Sequence, residues 1–219
     1  MGLMSDREKI GNPGLALTFI FTMLAMLTWA DYMGFFTGPV YLVKGLVELA
    51  CYIPYLIGAV LFFLKGDTVN GTIYLIFATL FGGVGGFLDL AYAASELLEF
   101  EVCRQMAAIP YFWGALSMVP MIISVRKTAS PVSILCYVCA ASFLTLMLPA
   151  AFGIFSEPLN AVVAWLNLAV GITGMYTLIS GLLAAGGCRP LPEGKPAAKT
   201  DSVLGKGEEN YETGCGRQH

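Results

Sequence analysis

Six apolar runs divide this sequence, and each is long enough to cross a lipid bilayer as a helix. A transmembrane helix needs about 20 predominantly apolar residues. The runs occupy residues 14–36, 41–64, 72–94, 107–125, 132–155 and 161–185. Turn-forming and charged residues such as Gly38-Pro39 and Lys65-Gly66-Asp67 separate them. We therefore predict an all-α membrane protein, with six transmembrane helices in one domain over residues 1–186.

The content of charged residues excludes further classes of function. Only 12% of the 219 residues are charged, against about 25% in ordinary soluble domains, and six spans leave no room for a folded domain outside the membrane. The net charge of −3 offers no basic surface to neutralise phosphates. We expect the lipid bilayer, and not nucleic acid, as a partner. Residues 187–219 are rich in Gly, Pro, Lys and Glu, which predicts a disordered cytoplasmic tail.

The distribution of Lys and Arg predicts the orientation, because basic residues accumulate in the cytoplasmic loops of membrane proteins. Six spans place both termini on one side, and that side collects ten of the twelve basic residues, whereas the other side keeps only Lys44 and Arg104. We therefore expect both termini in the cytoplasm and an integral, multi-pass protein of the plasma membrane.

Four ionisable residues fall inside the predicted spans, near their outer ends: Asp31, Lys44, Glu48 and Asp89. Charged groups at membrane depth are costly, so they mark a solute pathway or a buried pair. Lys44 and Glu48 have the i,i+4 spacing that places two side chains on one helix face. Two interpretations stay open, namely mutual pairing at the interface and a charged outer vestibule.

The inner parts of the spans contain no Lys, Arg or His, and the one histidine is His219. A histidine proton relay is therefore not expected. The six cysteines are scattered without neighbouring metal ligands, so we predict no metal, no cofactor and no catalytic residues. A solute crossing such a path meets neutral donors such as Thr145 and Asn167, which suits a small, weakly acidic or neutral molecule.

Two local patterns each have a structural and a functional interpretation. Asn12-Pro13 is typical of a helix start, with an N-cap followed by proline at the first helical position. The same helix end could attract an anion into a lumen through the helix dipole. Four glycines in the third run predict a face for close helix packing: Gly82, Gly83, Gly85 and Gly86.

Taken in order, several segments resemble the acetate uptake transporter family, the six-helix YaaH-type proteins that carry acetate or succinate with protons. Its NPAPLGL-like opening is similar to residues 12–17, its GYF-like turn to residues 34–36, and its GNTFG segment to residues 66–71. The spacing of the family's sixth helix and its GRTxLPxG ending are reproduced by Trp165, Leu168, Gly171 and Tyr176, and by residues 187–194. This chain resembles a divergent member.

The resemblance implies a homo-hexamer in which each protomer has its own pore, narrowed by a Phe on helix one, a Tyr on helix three and a Leu on helix five. These positions fall on Phe21, Phe77 and Phe143. The sequence departs from the family at the second and third, and Phe77 lacks the hydroxyl that could bond a carboxylate. Asn12 and Pro13 would begin the substrate path.

We therefore expect a membrane transporter or channel for small monocarboxylates such as acetate, coupled to protons, with a narrow apolar pore in each protomer. One alternative is a channel for a neutral solute such as ammonia, urea or an undissociated acid. Another is a structural or signalling membrane protein whose pore is closed. An intramembrane enzyme is least supported, because no nucleophile and base are placed at depth.

Overall fold

A computed structural model describes residues 11–195. Six of its helices are long and apolar enough to cross a membrane, and no strand occurs in this part of the chain. The helices are α1 (Gly14–Tyr32), α2 (Val40–Leu64), α3 (Thr68–Leu98), α4 (Arg104–Val125), α5 (Pro131–Ala151) and α6 (Ser156–Ala185). The predicted all-α membrane fold with six transmembrane helices is confirmed.

Two helices end earlier than the hydropathy pattern predicts. Helix α1 stops at Tyr32 and not at residue 36, because Gly34 turns the chain with a φ of +69°. Helix α5 stops at Ala151 and not at residue 155, since Gly153 has a φ of +77°. Apolar residues continue past both helix ends. A prediction from hydropathy therefore includes these turns in the spans, because the turns are visible only in the backbone geometry.

Four boundaries agree with the predicted ones, namely the start of α1 and the ends of α2, α4 and α6, and the remaining six move outward. Helix α3 begins at Thr68 and not at residue 72, because the side chain of Asp67 accepts a hydrogen bond from the Asn70 N–H and caps the helix. It continues to Leu98, beyond the predicted residue 94. Helix α6 begins at Ser156, five residues before the predicted start at 161, and α2, α4 and α5 begin one to three residues early. Polar residues at these ends belong to helical turns.

Helix α3 is α-helical over Thr68–Phe77 and Gly86–Leu98 and π-helical over Ala78–Gly85. The wider π-turns coincide with the glycine-rich stretch of the sequence. A Cβ on Gly82 would lie 2.7 Å from the Tyr52 Cα, and one on Gly86 would lie 2.9 Å from the Leu49 Cγ. The predicted packing face is therefore confirmed for these two glycines, which bring the backbones of α2 and α3 together.

Helix α6 packs between α1 and α5, while α5 also contacts α4 and α2 pairs with α3. Successive helices are joined by short turns and so run in opposite directions. We call the end with the starts of α1, α3 and α5 the termini end, and the other the opposite end. After α6, the chain returns along this helix, since Tyr176 Oη donates a hydrogen bond to Pro192 O and Ser180 Oγ donates one to Leu191 O. The rest of the predicted tail, after residue 195, lies outside the described residues.

Candidate functional site

One face of α1 lines three successive cavities along the length of the bundle. Leu15, Thr18 and Phe21 line the first, Phe21, Leu24, Ala25 and Thr28 line the second, and Asp31 and Tyr32 line the third. The spacing of three or four residues places these side chains on one side of the helix. The cavities therefore follow a single line from the termini end to the opposite end.

The cavity at the termini end, here called the termini-side vestibule, has a volume of about 210 Å³. Its polar lining consists mainly of uncharged donors on α1, α3, α5 and α6: Thr18, Asn70, Tyr74, Ser133, Tyr137 and Thr177. The carboxyl-bearing Glu193 also lines it, carried there by the segment that returns along α6. The hydroxyls of Thr18 and Thr177 already donate to the backbone of their own helices. Other groups of this lining, such as the Tyr74 and Tyr137 hydroxyls, can donate hydrogen bonds to a small carboxylate without a compensating charge.

Aromatic rings separate the two ends of the path. The rings of Phe21 and Phe77 stack with centroids 4.9 Å apart, and Phe81 lies against both, at 6.2 Å and 5.6 Å. Phe81 also contacts Phe143, at 6.2 Å. We call these four side chains the aromatic constriction. The structure thus brings Phe21 and Phe77 into direct contact, and Phe81 links Phe143 to this pair.

The second cavity lies beside the aromatic constriction and is small. Its volume is about 10 Å³, and Phe21, Phe81 and Phe143 line it together with Asn167. A water molecule needs a cavity of roughly 10–15 Å³, so this space holds one water at most. Asn167 is 1% exposed, and its side-chain amide donates to Val163 O at 2.9 Å. The path is therefore closed at this level in the present conformation.

The third cavity, here called the charged vestibule, opens toward the opposite end and has a volume of about 590 Å³. All four ionisable residues predicted at this level line it: Asp31, Lys44, Glu48 and Asp89. Lys44 Nζ lies 3.1 Å from Asp31 Oδ2 and 3.2 Å from Asp89 Oδ2. One ammonium group on α2 thus links a carboxylate on α1 to another on α3.

Glu48 is the member of this group that forms no ion pair. It is 7% exposed, and its Oε2 atom has no hydrogen-bond partner among the described residues. Although Lys44 has the i,i+4 spacing to reach it, Lys44 turns to the two aspartates instead. The two interpretations of these residues therefore combine in the structure, since three of them pair and all four line one cavity.

The start of α1 has the local geometry of a capped helix. Asn12 Oδ1 accepts a hydrogen bond from the Gly14 N–H at 2.9 Å, and Pro13 has helical φ and ψ of −74° and −11°. Asn12 is exposed, and the first α1 residue to line the termini-side vestibule is Leu15. Asn12 and Pro13 therefore lie before the mouth of the path and not within it.

Sequence reasoning did not assign several residues that line the path. Phe81 follows Phe77 by four residues, and this spacing on one helix face was a signal that could have placed it in the constriction. Tyr111 on α4 lines the charged vestibule, but no local pattern marks it. The described residues contain no group of three or more His, Cys, Asp or Glu side chains arranged to hold a metal ion.

Comparison with known proteins connects this architecture to a solved membrane-protein structure. The fold is similar to that of the bacterial acetate channel SatP, with a TM-score of 0.63 and 19% sequence identity, over 84% of this chain and 99% of that chain. No family model matches the sequence, and no curated protein matches it in a sequence search. The chain therefore has an acetate-channel-like membrane fold of six helices.

Proposed function

We propose that this protein is a channel or transporter for small monocarboxylates such as acetate, coupled to protons. The observation that supports it most is the line of three cavities along one face of α1, interrupted by the aromatic constriction. Such a path is wide enough at both ends to admit a small solute, and a hydrophobic constriction is one of the ways in which pores are gated.

In this proposal the side chains act at successive levels. The capped start of α1 at Asn12 and Pro13 directs the positive end of the helix dipole toward the mouth of the termini-side vestibule, where it attracts an anion. Neutral donors in that vestibule, such as Tyr74 and Tyr137, then bind the carboxylate. Phe21, Phe77 and Phe143 act with Phe81 as the gate.

The assembly and location belong to the same proposal. The sequence resemblance to the acetate uptake transporter family supports a homo-oligomer, namely a hexamer, with a path inside each protomer. The six apolar helices and the excess of basic residues on the termini side support a plasma-membrane protein with both ends in the cytoplasm.

A second candidate function is a channel for a neutral solute, namely an undissociated acid, urea or ammonia. Phe77 favours it, because the phenyl ring is 2% exposed, stacks on Phe21 and offers no hydrogen bond to a carboxylate. An anion that enters this level loses its hydration without receiving a donor in return, which is costly. A neutral molecule avoids most of that cost.

Uptake of labelled acetate into proteoliposomes tests both candidates. Uptake that is stimulated by an inward proton gradient and inhibited by succinate supports proton-coupled carboxylate transport. Flux that ignores the gradient and is inhibited by urea or ammonium supports the neutral-solute channel. No flux above that of empty liposomes contradicts both and leaves a structural or signalling protein with a closed path.

A further inference from the structure

The charged vestibule contains more negative than positive charge. Its described lining residues include three carboxylates, Asp31, Glu48 and Asp89, and one ammonium group, on Lys44. Lys44 already pairs with both aspartates. When all four groups are ionised, the cluster therefore carries two uncompensated negative charges inside a transmembrane helix bundle.

Of the three carboxylates, Glu48 is the one that forms no ion pair with Lys44. Its side chain is more than nine-tenths buried, it lines the cavity, and Oε2 receives no hydrogen bond from any described residue. A buried carboxylate oxygen without a hydrogen bond is unfavourable, because burial removes its hydration. Either a proton or a bound cation removes that cost.

The backbone beside Glu48 lets two oxygen atoms come close together, because Gly85 has no side chain. A Cβ on Gly85, at the end of the π-helical segment, would lie 2.5 Å from Glu48 Oε2 and 2.9 Å from Tyr111 Oη. The carboxylate and the phenol oxygen therefore both reach the bare Cα of Gly85, one from α2 and the other from α4. Short π-helical segments inside α-helices are frequent at functional sites.

We propose that Glu48 and Tyr111, beside Gly85, form a binding site for a small cation of single charge in the charged vestibule. The Glu48 carboxylate supplies the charge, the Tyr111 hydroxyl oxygen supplies a second acceptor, and water in the cavity of about 590 Å³ completes the shell. The same cavity already holds one singly charged cationic group, since the Lys44 ammonium lies between two carboxylates. The site does not depend on which solute the path conducts.

The neighbouring ionisable groups lie on the first four helices and can be distinguished from Glu48. Among the described residues they are Asp31 and Tyr32 on α1, Tyr41, Lys44 and Cys51 on α2, Asp89 and Tyr92 on α3, and Tyr111 on α4. The residues that α5 and α6 contribute to the cavity are uncharged, for example Met147 and Asn160. Replacement of Glu48 alone therefore isolates its contribution to any dependence on cations or pH.

The test is the thermal unfolding of the purified full chain in detergent, followed by the fluorescence of its three tryptophans. Sodium, potassium and ammonium chloride each replace N-methylglucamine chloride at constant ionic strength, and a separate series lowers the pH in the N-methylglucamine salt. The variants are E48Q, which keeps the shape of the side chain, and Y111F. The matched control is E96Q, at an exposed carboxylate on α3.

We expect at least one of these cations to raise the Tm of the wild type and of E96Q, by roughly 5–10 °C at a hundredfold excess over Kd. E48Q loses the shift, and Y111F reduces it. A shift of the wild-type Tm with a salt, lost in E48Q, identifies a metal or ammonium ion and supports the site. A wild-type Tm that rises with none of the three salts overturns the cation site, and a rise with acid alone then shows only protonation of Glu48. An E48Q variant that responds to a salt as the wild type does also overturns it. The readout involves no transport, so failure of the proposed carboxylate function would not be mistaken for failure of this site.

Discussion

The rings of Phe21 on α1 and Phe77 on α3 stack face to face, with centroids 4.9 Å apart and planes 3° from parallel. They lie 56 residues apart in the sequence, and both are almost fully buried. Stacking of this kind adds a specific attraction to the burial of the two rings. The contact joins α1 to α3 at the level where the termini-side vestibule ends, and under the proposed function it is the part of the path that a solute must open.

Replacement of Phe77 by Ala removes one side of this contact and widens the constriction. A barrier lowered by about 1.4 kcal/mol raises a rate tenfold, so we expect a several-fold increase in acetate uptake into proteoliposomes. Since the loss of a buried Phe costs about 3–5 kcal/mol, Phe77→Leu is the milder second variant. Phe19→Ala, at a ring that is 48% exposed, is the control and leaves uptake unchanged. Equal uptake by all variants would argue against a gate at Phe77.

Loss of the Lys44 ammonium removes the ion-pair partner of Asp89, which is buried, and of Asp31, which is partly buried. Breaking a buried ion pair from one side costs about 3–5 kcal/mol, and each kcal/mol lowers Tm by roughly 2–4 °C in a chain of this size. We therefore expect Lys44→Met to lower the Tm by roughly 10 °C. Lys127→Met, at an exposed lysine, shifts it little. The triple variant Lys44→Met, Asp31→Asn, Asp89→Asn recovers much of the loss, and a triple variant no more stable than the single one would contradict this account.

Two adjacent glycines in α3 differ sharply in the space around them. A Cβ on Gly82 meets the Tyr52 Cα at 2.7 Å, whereas the nearest atom to a Cβ on Gly83 is the Ala78 carbonyl oxygen at 3.7 Å. Gly82→Ala therefore forces α2 and α3 apart and lowers the Tm. Gly83→Ala leaves it unchanged or raises it, because Ala favours a helix by about 1 kcal/mol over Gly. Equal Tm values for the two variants would show that close packing at Gly82 does not limit stability.

The segment that returns along α6 is held by the hydrogen bond from Tyr176 Oη to Pro192 O. A hydrogen bond contributes about 1 kcal/mol net, so Tyr176→Phe increases the open fraction of this segment roughly fivefold. Cleavage after Glu193 by a glutamyl-specific protease, followed by mass spectrometry, measures that fraction. Ser124→Ala, whose hydroxyl bonds within α4, is the control and cleaves at the wild-type rate. Wild-type cleavage of the Tyr176 variant would mean that other contacts hold the segment.

The cap at Asn12 gives a prediction that separates its structural role from its functional one. Asn12→Ala removes the acceptor for the Gly14 N–H, and loss of such a cap costs about 1 kcal/mol. Asn12→Asp keeps the acceptor but adds negative charge at the mouth of the path. We expect Asp to retain the wild-type Tm and to raise the KM for acetate, because it repels the anion. An unchanged KM in both variants would restrict Asn12 to capping.

The sequence by itself determined the class of the fold and the number of helices, because hydropathy and turn chemistry are local properties that each segment carries alone. It also predicted the cap at Asn12 and the packing face at Gly82 and Gly86, since spacing within one helix fixes which side chains share a face. The assignment of Phe21, Phe77 and Phe143 to a pore came from the resemblance to a known family. The three side chains line neighbouring cavities. Their role as a gate stays a prediction.

Contacts between helices were decided only by the tertiary structure. Spacing along α2 pairs Lys44 with Glu48, yet Lys44 reaches Asp31 on α1 and Asp89 on α3, and Glu48 is left facing Gly85 and Tyr111. The same holds for Phe81, which links the stacked pair to Phe143. A charge or ring on one helix finds its partner on whichever helix packs near it. For partners 13 to 62 positions apart in the sequence, that packing depends on the whole bundle.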